Sequence, residues 1–423
     1  MLSLKYIREN TDIVRSSLKE KKSSIDIDVL LDLDVSRRSD LQEVEQLRAE
    51  KNKVSENIAH KKKIGENADK DISAMRSVSG EIKNVEERLK STEADIHSRI
   101  YYIPNRIHTS VPPGKDEGDN VVVREWGEKP NFSFTPRDHV ELGKVLGLLD
   151  FKGAVKMAGS GFPLYIGLGA KLERSLINYM IDYHVTNHGY RELFPPFLAH
   201  GNAMQNTGQL PKFEEDMYRI PEDSLYCVPT AEVPVTNLHQ GEIIGEDELP
   251  KKYAAYSACF RREAGSYGKD TKGLTRLHQF NKVELVKFSH PVTSYDELEA
   301  LVGNAESVLQ TLGLHYRIIE LCSGDLSFSA AKCYDLEVWS PAEEKYLEVS
   351  SCSNFEDFQA RRAEIRFRNK DTGKAELLHT LNGSGVATPR LMIALLETYQ
   401  KEDGAVILPE ALHPYMQKEK LCP

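Results

Sequence analysis

Two polar segments near the middle of the chain carry side chains that could bind a phosphate, a base and an amine. One segment contains Arg261 and Glu263, and the other contains Phe280 and Glu284. In strands, side chains two residues apart share a face, so Arg261 would lie with Glu263, and Phe280 with Glu284. A fixed guanidinium beside an aromatic ring and carboxylates can grip a phosphate, stack a base and hold an ammonium or hydroxyl group. A solvated hairpin with a charged loop is the alternative, and it is the commoner fate of a single arginine or glutamate.

The usual nucleotide-binding signatures are missing from the sequence, so a nucleotide would have to be held in another way. Gly268-Lys269 lacks the earlier glycine of a P-loop, and Gly159-Ser160-Gly161 lacks the third glycine of a dinucleotide-binding turn. The sequence also contains no H-E-x-x-H or G-x-S-x-G element, which argues against a metalloprotease and an α/β-hydrolase.

A predicted helix start near the carboxyl terminus carries a further candidate anion ligand, Arg390. Thr388 can cap this helix, and Pro389 suits its first position. The amino terminus of a helix favours an anion, which agrees with a phosphate contact here. A surface arginine in the first helical turn is the alternative, although the helix dipole at this end prefers acidic side chains.

A sheet is needed to bring these residues together, and hydrophobic alternation predicts one. Residues 253–262 and 280–288 are expected to be strands joined by the polar loop 264–276, and a helix is expected over 295–312. An earlier amphipathic helix closes at His188-Gly189. Its apolar face consists of Leu172, Leu176, Tyr179, Met180 and Tyr183. Strands in succession with helices set to one side predict an α+β fold with an antiparallel sheet.

The first hundred residues predict two long antiparallel helices. The first helix is expected from near Val29 to Ile64, roughly 36 residues or about 50 Å, which is too long to pack inside a domain. A break at Gly65-Glu66-Asn67 precedes the second helix. Apolar residues recur in steps of three and four, with two lysines at seam positions of the first helix. The seam positions are Val44, Leu47, Lys51, Val54, Ile58, Lys61, Met75, Val78, Ile82, Val85, Leu89, Thr92 and Ile96.

A basic cluster lies at the predicted tip of this hairpin. It comprises His60-Lys61-Lys62-Lys63, with Lys51 and Lys53 further down the first helix. A basic cluster on a projecting hairpin suits a phosphate backbone. A heptad hairpin taken alone more commonly serves oligomerisation, so that alternative stays open. The breaker-rich stretch 111–118 then predicts a linker, which divides the chain into domains 1–110 and 111–423.

The bulk composition is that of a soluble protein able to bury a sizeable core. Of its 423 residues, 40% are hydrophobic and 28% are charged. The first residues carry charges and no apolar run, which predicts neither a secretion signal nor a membrane anchor, and therefore a cytoplasmic location. The scattered six cysteines fit reduced thiols and disfavour a structural zinc. Residues 1–110 contain 21 Lys+Arg against 20 Asp+Glu, so the net charge of −10 arises from the rest of the chain, and affinity for nucleic acid is expected in the amino-terminal part.

Over nearly its whole length the sequence resembles the class II aminoacyl-tRNA synthetases, and the seryl enzymes among them. Phe-Arg-x-Glu at 260–263, a polar loop and His278-Gln279-Phe280 resemble motif 2, and the wording of residues 265–274 is close to the seryl enzymes. Residues 189–196 resemble motif 1, whose role in the family is the dimer interface. The other matching segments are motif 3 at 382–385 and 389–390, and seryl-specific stretches at 207–213 and 230–234.

The resemblance implies a role for each matching side chain. Arg261 would contact the α-phosphate and the substrate carboxylate, Glu263 the adenine amino group, and Phe280 would stack on the adenine. Arg390 would meet the γ-phosphate, which makes it the second catalytic arginine. The implied serine site is Thr230, Ala231, Glu232, Arg261, Glu284 and Ser384. The implied ATP site is Arg261, Arg262, Glu263, Phe280, Glu348, Val349, Ser350, Ser351 and Arg390.

Glu348 and Ser351 match the magnesium ligands of the family, and hard oxygen donors suit that ion. Strict strand alternation would place them on opposite faces, so a bulge or a strand end has to lie between them. A carboxylate on an edge strand with a neighbouring hydroxyl is the alternative. The resemblance implies no zinc. Two positions depart from the family pattern: Gly161-Phe162 stands where many members have Arg-Phe, and Arg262 where a small residue or lysine is frequent.

The activity implied by the resemblance is that of a serine–tRNA ligase. It would form seryl-adenylate from L-serine and ATP and transfer the seryl group to the 3′ end of tRNA(Ser), and to tRNA(Sec) as well. The tRNA would bridge both subunits of a homodimer, with its long variable arm on Lys51, Lys53, Lys61, Lys62 and Lys63. Two alternatives are an amino acid:carrier-protein ligase, disfavoured by the intact helical arm, and an inactive synthetase-like scaffold that binds nucleic acid, disfavoured by the complete set of site residues.

Overall fold

Two units make up the part of the chain that the computed structural model describes, residues 1–263 and 272–423. One unit is Leu2–Pro104, and the other is Asn105–Pro423 together with Met1. The assignment of separate roles to residues 1–110 and 111–423 stays a prediction. Most of the predicted polar loop 264–276, and with it most of the seryl-like wording at 265–274, lies outside the described residues.

The unit Leu2–Pro104 is helical. Its helices are α1 (Leu4–Glu9), α2 (Thr11–Glu20), α3 (Ile27–Lys63) and α4 (Asp69–Ile100). Helix α3 begins slightly before the predicted start near Val29, because the Asp26 carboxylate accepts a hydrogen bond from the Asp28 N–H at 2.9 Å and caps it. Its 37 residues correspond to about 55 Å. The predicted break between the long helices is confirmed, and Gly65 there has a φ of 78°.

Helices α3 and α4 pair along the predicted seam. Every predicted seam residue is buried or half-buried. Ion pairs join the two helices, and increasing residue numbers on α3 pair with decreasing residue numbers on α4, as an antiparallel arrangement requires. These pairs include Arg37–Glu93 at 3.1 Å, Arg48–Glu86 at 2.8 Å and Lys61–Asp71 at 2.6 Å. The predicted antiparallel hairpin is therefore confirmed.

The unit Asn105–Pro423 is built on an eight-stranded sheet with the strand order β1-β9-β10-β11-β14-β8-β7-β2. Its pairings are antiparallel except for that of β2 with β7. The described strands are β1 (Val121–Trp126), β2 (Arg191–Leu193), β3 (Leu198–His200), β4 (Arg219–Ile220), β5 (Leu225–Cys227), β6 (Ile243–Gly245), β7 (Lys251–Phe260), β8 (Gln279–Ser289), β9 (Tyr316–Glu320), β10 (Lys332–Ser340), β11 (Lys345–Asn354), β12 (Arg366–Arg368), β13 (Ala375–Leu377), β14 (His379–Ala387), β15 (Val406–Ile407) and β16 (Lys420–Leu421).

Three long helices of this unit pack against the sheet in one continuous apolar core. The described α-helices of this unit are α5 (His139–Val145), α6 (Phe151–Ala158), α7 (Leu168–His188), α8 (Gly201–Thr207), α9 (Glu232–Asn237), α10 (Ser294–Thr311), α11 (Phe358–Ala363), α12 (Thr388–Thr398) and α13 (His413–Met416). The three long ones are α7, α10 and α12. The core lies between α7, α10, α12 and the central strands. The predicted α+β fold, the helix over 295–312 and the helix closing at Gly189 are confirmed. None of the described helices is both long and apolar enough to span a bilayer.

The predicted strand 253–262 ends early. Strand β7 stops at Phe260, and Glu263 adopts a positive φ of 51°. The Arg261 N–H still donates to the His278 carbonyl at 2.9 Å, and beyond it the Arg262 N–H donates to the Asp216 carbonyl at 2.9 Å as the backbone leaves the sheet. The expectation that Arg261 and Glu263 share a face of a strand is therefore wrong, since both lie beyond the strand end.

The bulge required between Glu348 and Ser351 is present in β11. Leu336 of β10 faces Ser350 and the next residue, Glu337, faces Glu348, so Val349 is an extra residue on β11. This bulge confirms the prediction and brings Glu348 and Ser351 to the same side.

The predicted capping role of Thr388 is wrong. Ala387 occupies the cap position, and Thr388 is the first residue of α12, ahead of Pro389. The Thr388 hydroxyl is buried and donates to the Glu173 carboxylate and to the Asn281 carbonyl. This side chain therefore anchors the helix to its surroundings instead of capping it.

Candidate active site

A cleft of about 650 Å³ opens beside the central strands of the sheet and the start of α12. It gathers predicted residues from distant parts of the chain. Those that line it are Thr230, Glu232, Arg261, Glu263, Phe280, Glu348, Val349, Ser351, Ser384 and Arg390. Since β8, β11 and β14 are neighbours, strand pairing sets the spacing of the residues that they contribute.

Arg261 and Phe280 lie next to each other in the cleft. The Arg261 guanidinium carbon lies 5.3 Å from the centroid of the Phe280 ring. The Arg261 N–H continues the ladder by donating to the His278 carbonyl at 2.9 Å, although β7 has ended, and Arg261 Nε donates to the Pro229 carbonyl at 3.4 Å. A cation held in this way beside an exposed ring face can bind a phosphate while the ring stacks on a planar base.

One end of the cleft is acidic and deeply buried. Thr230 and Glu232 line it, and the Glu232 N–H donates to Thr230 Oγ1 at 3.2 Å. Burial, followed by the charge of Glu284, raises the pKa of Glu232 to about 7. A carboxylate in such a pocket can receive an ammonium or hydroxyl group from a small substrate.

Glu284 is buried beneath residues that line the cleft, and its predicted contact with serine stays a prediction. Its side chain is fully buried. Its carboxylate accepts from Thr230 Oγ1 at 2.9 Å and from Asn382 Nδ2 at 3.1 Å, and it lies 2.5 Å from Lys282 Nζ. Glu284 therefore holds three lining residues in place from below.

Arg390 lies against the strand that carries the bulge. Its Nη1 donates to the Glu348 carbonyl at 2.7 Å and lies 3.6 Å from Glu348 Oε2, while its Nε donates to the Thr275 carbonyl at 3.2 Å. Its position in the first turn of α12 is the one predicted. The guanidinium and the helix amino terminus together provide positive potential at this end of the cleft.

Glu348 and Ser351 suit a magnesium ion that also binds substrate phosphates. The bulge at Val349 places a carboxylate and a hydroxyl on the same cleft wall. Magnesium is commonly held by one or two protein oxygens plus phosphates and water, so a pair of donors suffices. Within residues 1–263 and 272–423, no three His, Cys, Asp or Glu side chains are grouped as for a metal ion.

Besides Glu284, three predicted residues do not line the cleft. Ala231 is fully buried, and the Ser350 hydroxyl donates to the Ser384 carbonyl at 2.6 Å, so both support the cleft from behind. Arg262 is exposed and lies in a separate surface depression with Tyr218 and Arg219. Arg262 turns away because the chain leaves the sheet directly after Arg261.

The departure at Gly161 has a structural reason. Gly161 has a φ of 80°, and a Cβ atom there would lie 2.4 Å from the His278 ring. The Gly161 carbonyl also accepts from the His278 N–H at 2.7 Å. A glycine therefore allows this loop to lie directly against the segment that carries Arg261 and Phe280.

Several cleft residues were not assigned a role from the sequence, and three of them contact predicted site residues. Lys282 lies on β8 between Phe280 and Glu284 at a spacing of two, which is a signal that strand alternation could have provided. Asn382 is likewise two residues from Ser384 on β14. Arg276 pairs with Glu263 at 2.6 Å, a contact between two loop residues that no periodicity reveals.

The lysines of the α3 hairpin differ in their surroundings. Lys53, Lys62 and Lys63 are exposed, whereas Lys51 and Lys61 occupy half-buried seam positions. The hydrogen bond that Lys61 donates to Asp71 raises the pKa of Lys61, and the Asp71 carboxylate offsets part of its positive charge. The exposed lysines are the better candidates for contacts with a polyanion.

Comparisons with known proteins agree with this architecture. Residues 1–107 match the sequence model of the seryl-tRNA synthetase N-terminal domain, and residues 212–399 match that of the tRNA synthetase class II core domain (G, H, P, S and T). A serine–tRNA ligase of Chloroherpeton thalassium is 54% identical over 422 residues, which cover 98% of this chain and 99% of that protein.

Two solved structures are also similar. The seryl-tRNA synthetase of Pyrococcus horikoshii complexed with ATP is 36% identical, with a TM-score of 0.95 and full coverage of both chains. The cytoplasmic serine–tRNA ligase of Naegleria fowleri in complex with AMP is 28% identical, with a TM-score of 0.90, and the match covers 100% of this chain and 99% of that one. With identity above half over almost its entire length, the chain belongs to the seryl-tRNA synthetase family of ligases.

Proposed function

We propose that this chain activates L-serine with ATP to give seryl-adenylate and then transfers the seryl group to the 3′ end of tRNA(Ser). The observation that carries the proposal is the set of groups that one cleft brings together. Thr230 and the buried carboxylate Glu232, the Arg261–Phe280 pair and Arg390 all line it. These groups suit an amino acid, an adenosine phosphate and a triphosphate tail.

In the first step a serine carboxylate oxygen attacks the α-phosphorus of ATP, and the bond to the β,γ-diphosphate breaks. Arg261 stabilises the charge that develops on the α-phosphate and orients the attacking carboxylate. Phe280 stacks on adenine, and Arg390 holds the departing diphosphate. The acidic pocket at Glu232 binds the serine ammonium and hydroxyl groups, so the reacting atoms are aligned before the reaction.

Magnesium would be held by Glu348 and Ser351 together with the phosphates. When bound, it supplies positive charge that offsets the negative charge of the phosphate oxygens. Glu348 already lies beside Arg390, so the two residues position each other.

In the second step a hydroxyl of the terminal ribose of tRNA attacks the seryl carbonyl carbon, and AMP leaves. The α3–α4 hairpin supports this step, because its exposed Lys53, Lys62 and Lys63 suit the phosphates of a long variable arm. The same chemistry would apply to tRNA(Sec).

We also propose that the chain forms a homodimer and that one tRNA contacts both subunits. Strand β2 lies at one edge of the sheet, and Phe194, directly after it, is 75% exposed. An edge strand with an exposed aromatic side chain beside it favours pairing with another copy. Since aminoacyl-tRNA is consumed in translation, we expect the protein to act in the cytoplasm.

The test is ATP–pyrophosphate exchange measured with each of the standard amino acids. The proposal predicts exchange that depends on serine and is far weaker with alanine, because the buried polar groups of the acidic end would lose their partner. Exchange with an amino acid other than serine as the preferred substrate would contradict the proposal. An absence of exchange with every amino acid would favour the inactive-scaffold alternative.

A further inference from the structure

Gln359 on α11 contacts the acidic end of the cleft from behind. Its side chain is fully buried and does not line the cleft. Its Nε2 donates to Glu232 Oε1 at 2.6 Å and to the Thr207 carbonyl at 3.2 Å. Glu232 itself lines the cleft, so Gln359 bonds directly to a residue that faces the substrate.

The orientation of the Gln359 amide is determined by its partners. The Thr380 hydroxyl donates to Gln359 Oε1 at 2.7 Å, so the amide oxygen faces Thr380 and the amide nitrogen faces Glu232. The Thr207 carbonyl can only accept, which requires the same orientation. A flipped amide would place its oxygen against a carboxylate and a carbonyl and lose both of these hydrogen bonds.

We propose that Gln359 is a positioning residue that holds the Glu232 carboxylate in one orientation toward the polar groups of the amino-acid substrate. The inference rests on the proposed function, in which Glu232 receives the serine ammonium or hydroxyl group. Gln359 acts only through Glu232, so its loss should affect serine and leave ATP binding unchanged. In the proposed function ATP binds to other residues of the cleft, Phe280 and Arg390.

Several neighbouring groups, Gln359 among them, shift the pKa of Glu232. Burial and the nearby Glu284 raise the pKa of Glu232, whereas Lys282 and Arg261 lower it. The Gln359 hydrogen bond also lowers this pKa and so favours the ionised carboxylate. Replacing Gln359 by a residue without a donor should therefore shift the pH at which the serine KM reaches its lowest value upward.

The main experiment measures KM for serine and for ATP in pyrophosphate exchange with the Gln359→Met variant of the full chain. Methionine has a similar volume and no hydrogen-bond donor. A hydrogen bond to a charged group predicts a rise in the serine KM of roughly ten- to a hundredfold, with the ATP KM unchanged. A serine KM in Gln359→Met equal to that of the unaltered chain would overturn the inference.

Gln400 provides a matched control. It is also buried and makes three hydrogen bonds, two from its amide nitrogen and one to its amide oxygen, but none to a cleft residue. Gln400→Met should cost comparable stability and leave the serine KM unchanged. An equal rise in the serine KM in both variants would show a general loss of structure and would overturn a specific role for Gln359.

Thr380→Val tests the same inference if Gln359→Met fails to fold. It removes the hydroxyl that fixes the Gln359 amide and nearly preserves the shape of the side chain. The serine KM should rise in the same direction but less than in Gln359→Met, and an unchanged serine KM would overturn the inference. If the unaltered chain shows no serine-dependent exchange, the proposed function fails and the inference fails with it.

Discussion

At the scale of single residues, two adjacent arginines have different surroundings. Arg261 lines the cleft beside Phe280, whereas Arg262 lies in a separate surface depression. Arg261→Ala should lower kcat/KM for serine-dependent exchange by about a hundredfold or more, because a preorganised charge at the transferring phosphoryl group is removed. Arg262→Ala is the matched control and should retain nearly full exchange. Similar losses in both variants would contradict the assignment of Arg261.

Glu173 on α7 predicts a pH dependence of stability. Burial raises its pKa to about 7, its Oε1 accepts from Asn281 and Thr388, and its Oε2 has no hydrogen-bond partner in the described part of the chain. Between pH 4.5 and about 7 the folded state keeps a proton that the unfolded state has released, so the free energy of unfolding falls as pH rises.

Glu173→Gln should remove this contribution, because the amide keeps the accepting oxygen and does not titrate. In urea titrations, the free energy of unfolding of the variant should rise relative to that of the unaltered chain by about 3 kcal/mol between pH 4.5 and about 7. Above that range the difference should stay constant. Glu232, with a pKa of about 7, contributes a similar slope that remains in both proteins. Identical pH profiles would show that Glu173 does not carry the raised pKa.

Side-chain positions that depend on one strand could be predicted from the sequence, and positions that depend on several elements could not. Phe280 is in the cleft because strand alternation is a local property. Glu284 shares that periodicity but is covered by Thr230 and Asn382, which arrive from distant segments. Threonine commonly caps helices, yet the Thr388 hydroxyl donates a hydrogen bond to Glu173, which lies 215 positions away in the sequence.

At the scale of elements, the α3–α4 hairpin separates lysines that serve the fold from lysines that face solvent. Lys61 pairs with Asp71, whereas Lys62 and Lys63 are exposed. Lys62→Ala and Lys63→Ala should each flatten the dependence of log affinity for tRNA on log salt concentration by about 0.7 to 0.9, the slope that one neutralised phosphate contributes. Lys61→Ala should change this slope less, because its charge is already paired. A larger slope change in Lys61→Ala than in the other two would contradict this division.

Elements with a local signal were predicted well. The heptad seam of α3 and α4 depends on side chains a few residues apart, and every seam position is at least half-buried. The bulge at Val349 was predicted from chemistry, because Glu348 and Ser351 needed to face one side. The end of β7 was missed, because the alternation of side chains continues to Arg262 and does not reveal the positive φ of 51° at Glu263.

At the scale of the whole molecule, the two units are expected to serve different half-reactions. All residues assigned to adenylate formation lie in the unit Asn105–Pro423, whereas the exposed lysines lie in the unit Leu2–Pro104. Deleting Asn57–Lys70 and rejoining the helices should leave pyrophosphate exchange almost unaltered and raise KM for tRNA steeply. A deletion that dissolved the dimer and left KM for tRNA unchanged would show that the hairpin is an oligomerisation coiled coil.

The most direct measurement of the whole account is charging of a tRNA that has a long variable arm, with labelled serine, ATP and the unaltered chain. We predict serine attached to the 3′ end of this tRNA, with little or no charging of a tRNA that lacks the long arm. Serine-dependent pyrophosphate exchange without transfer to tRNA, together with transfer to a carrier protein, would contradict the account and favour an amino acid:carrier-protein ligase.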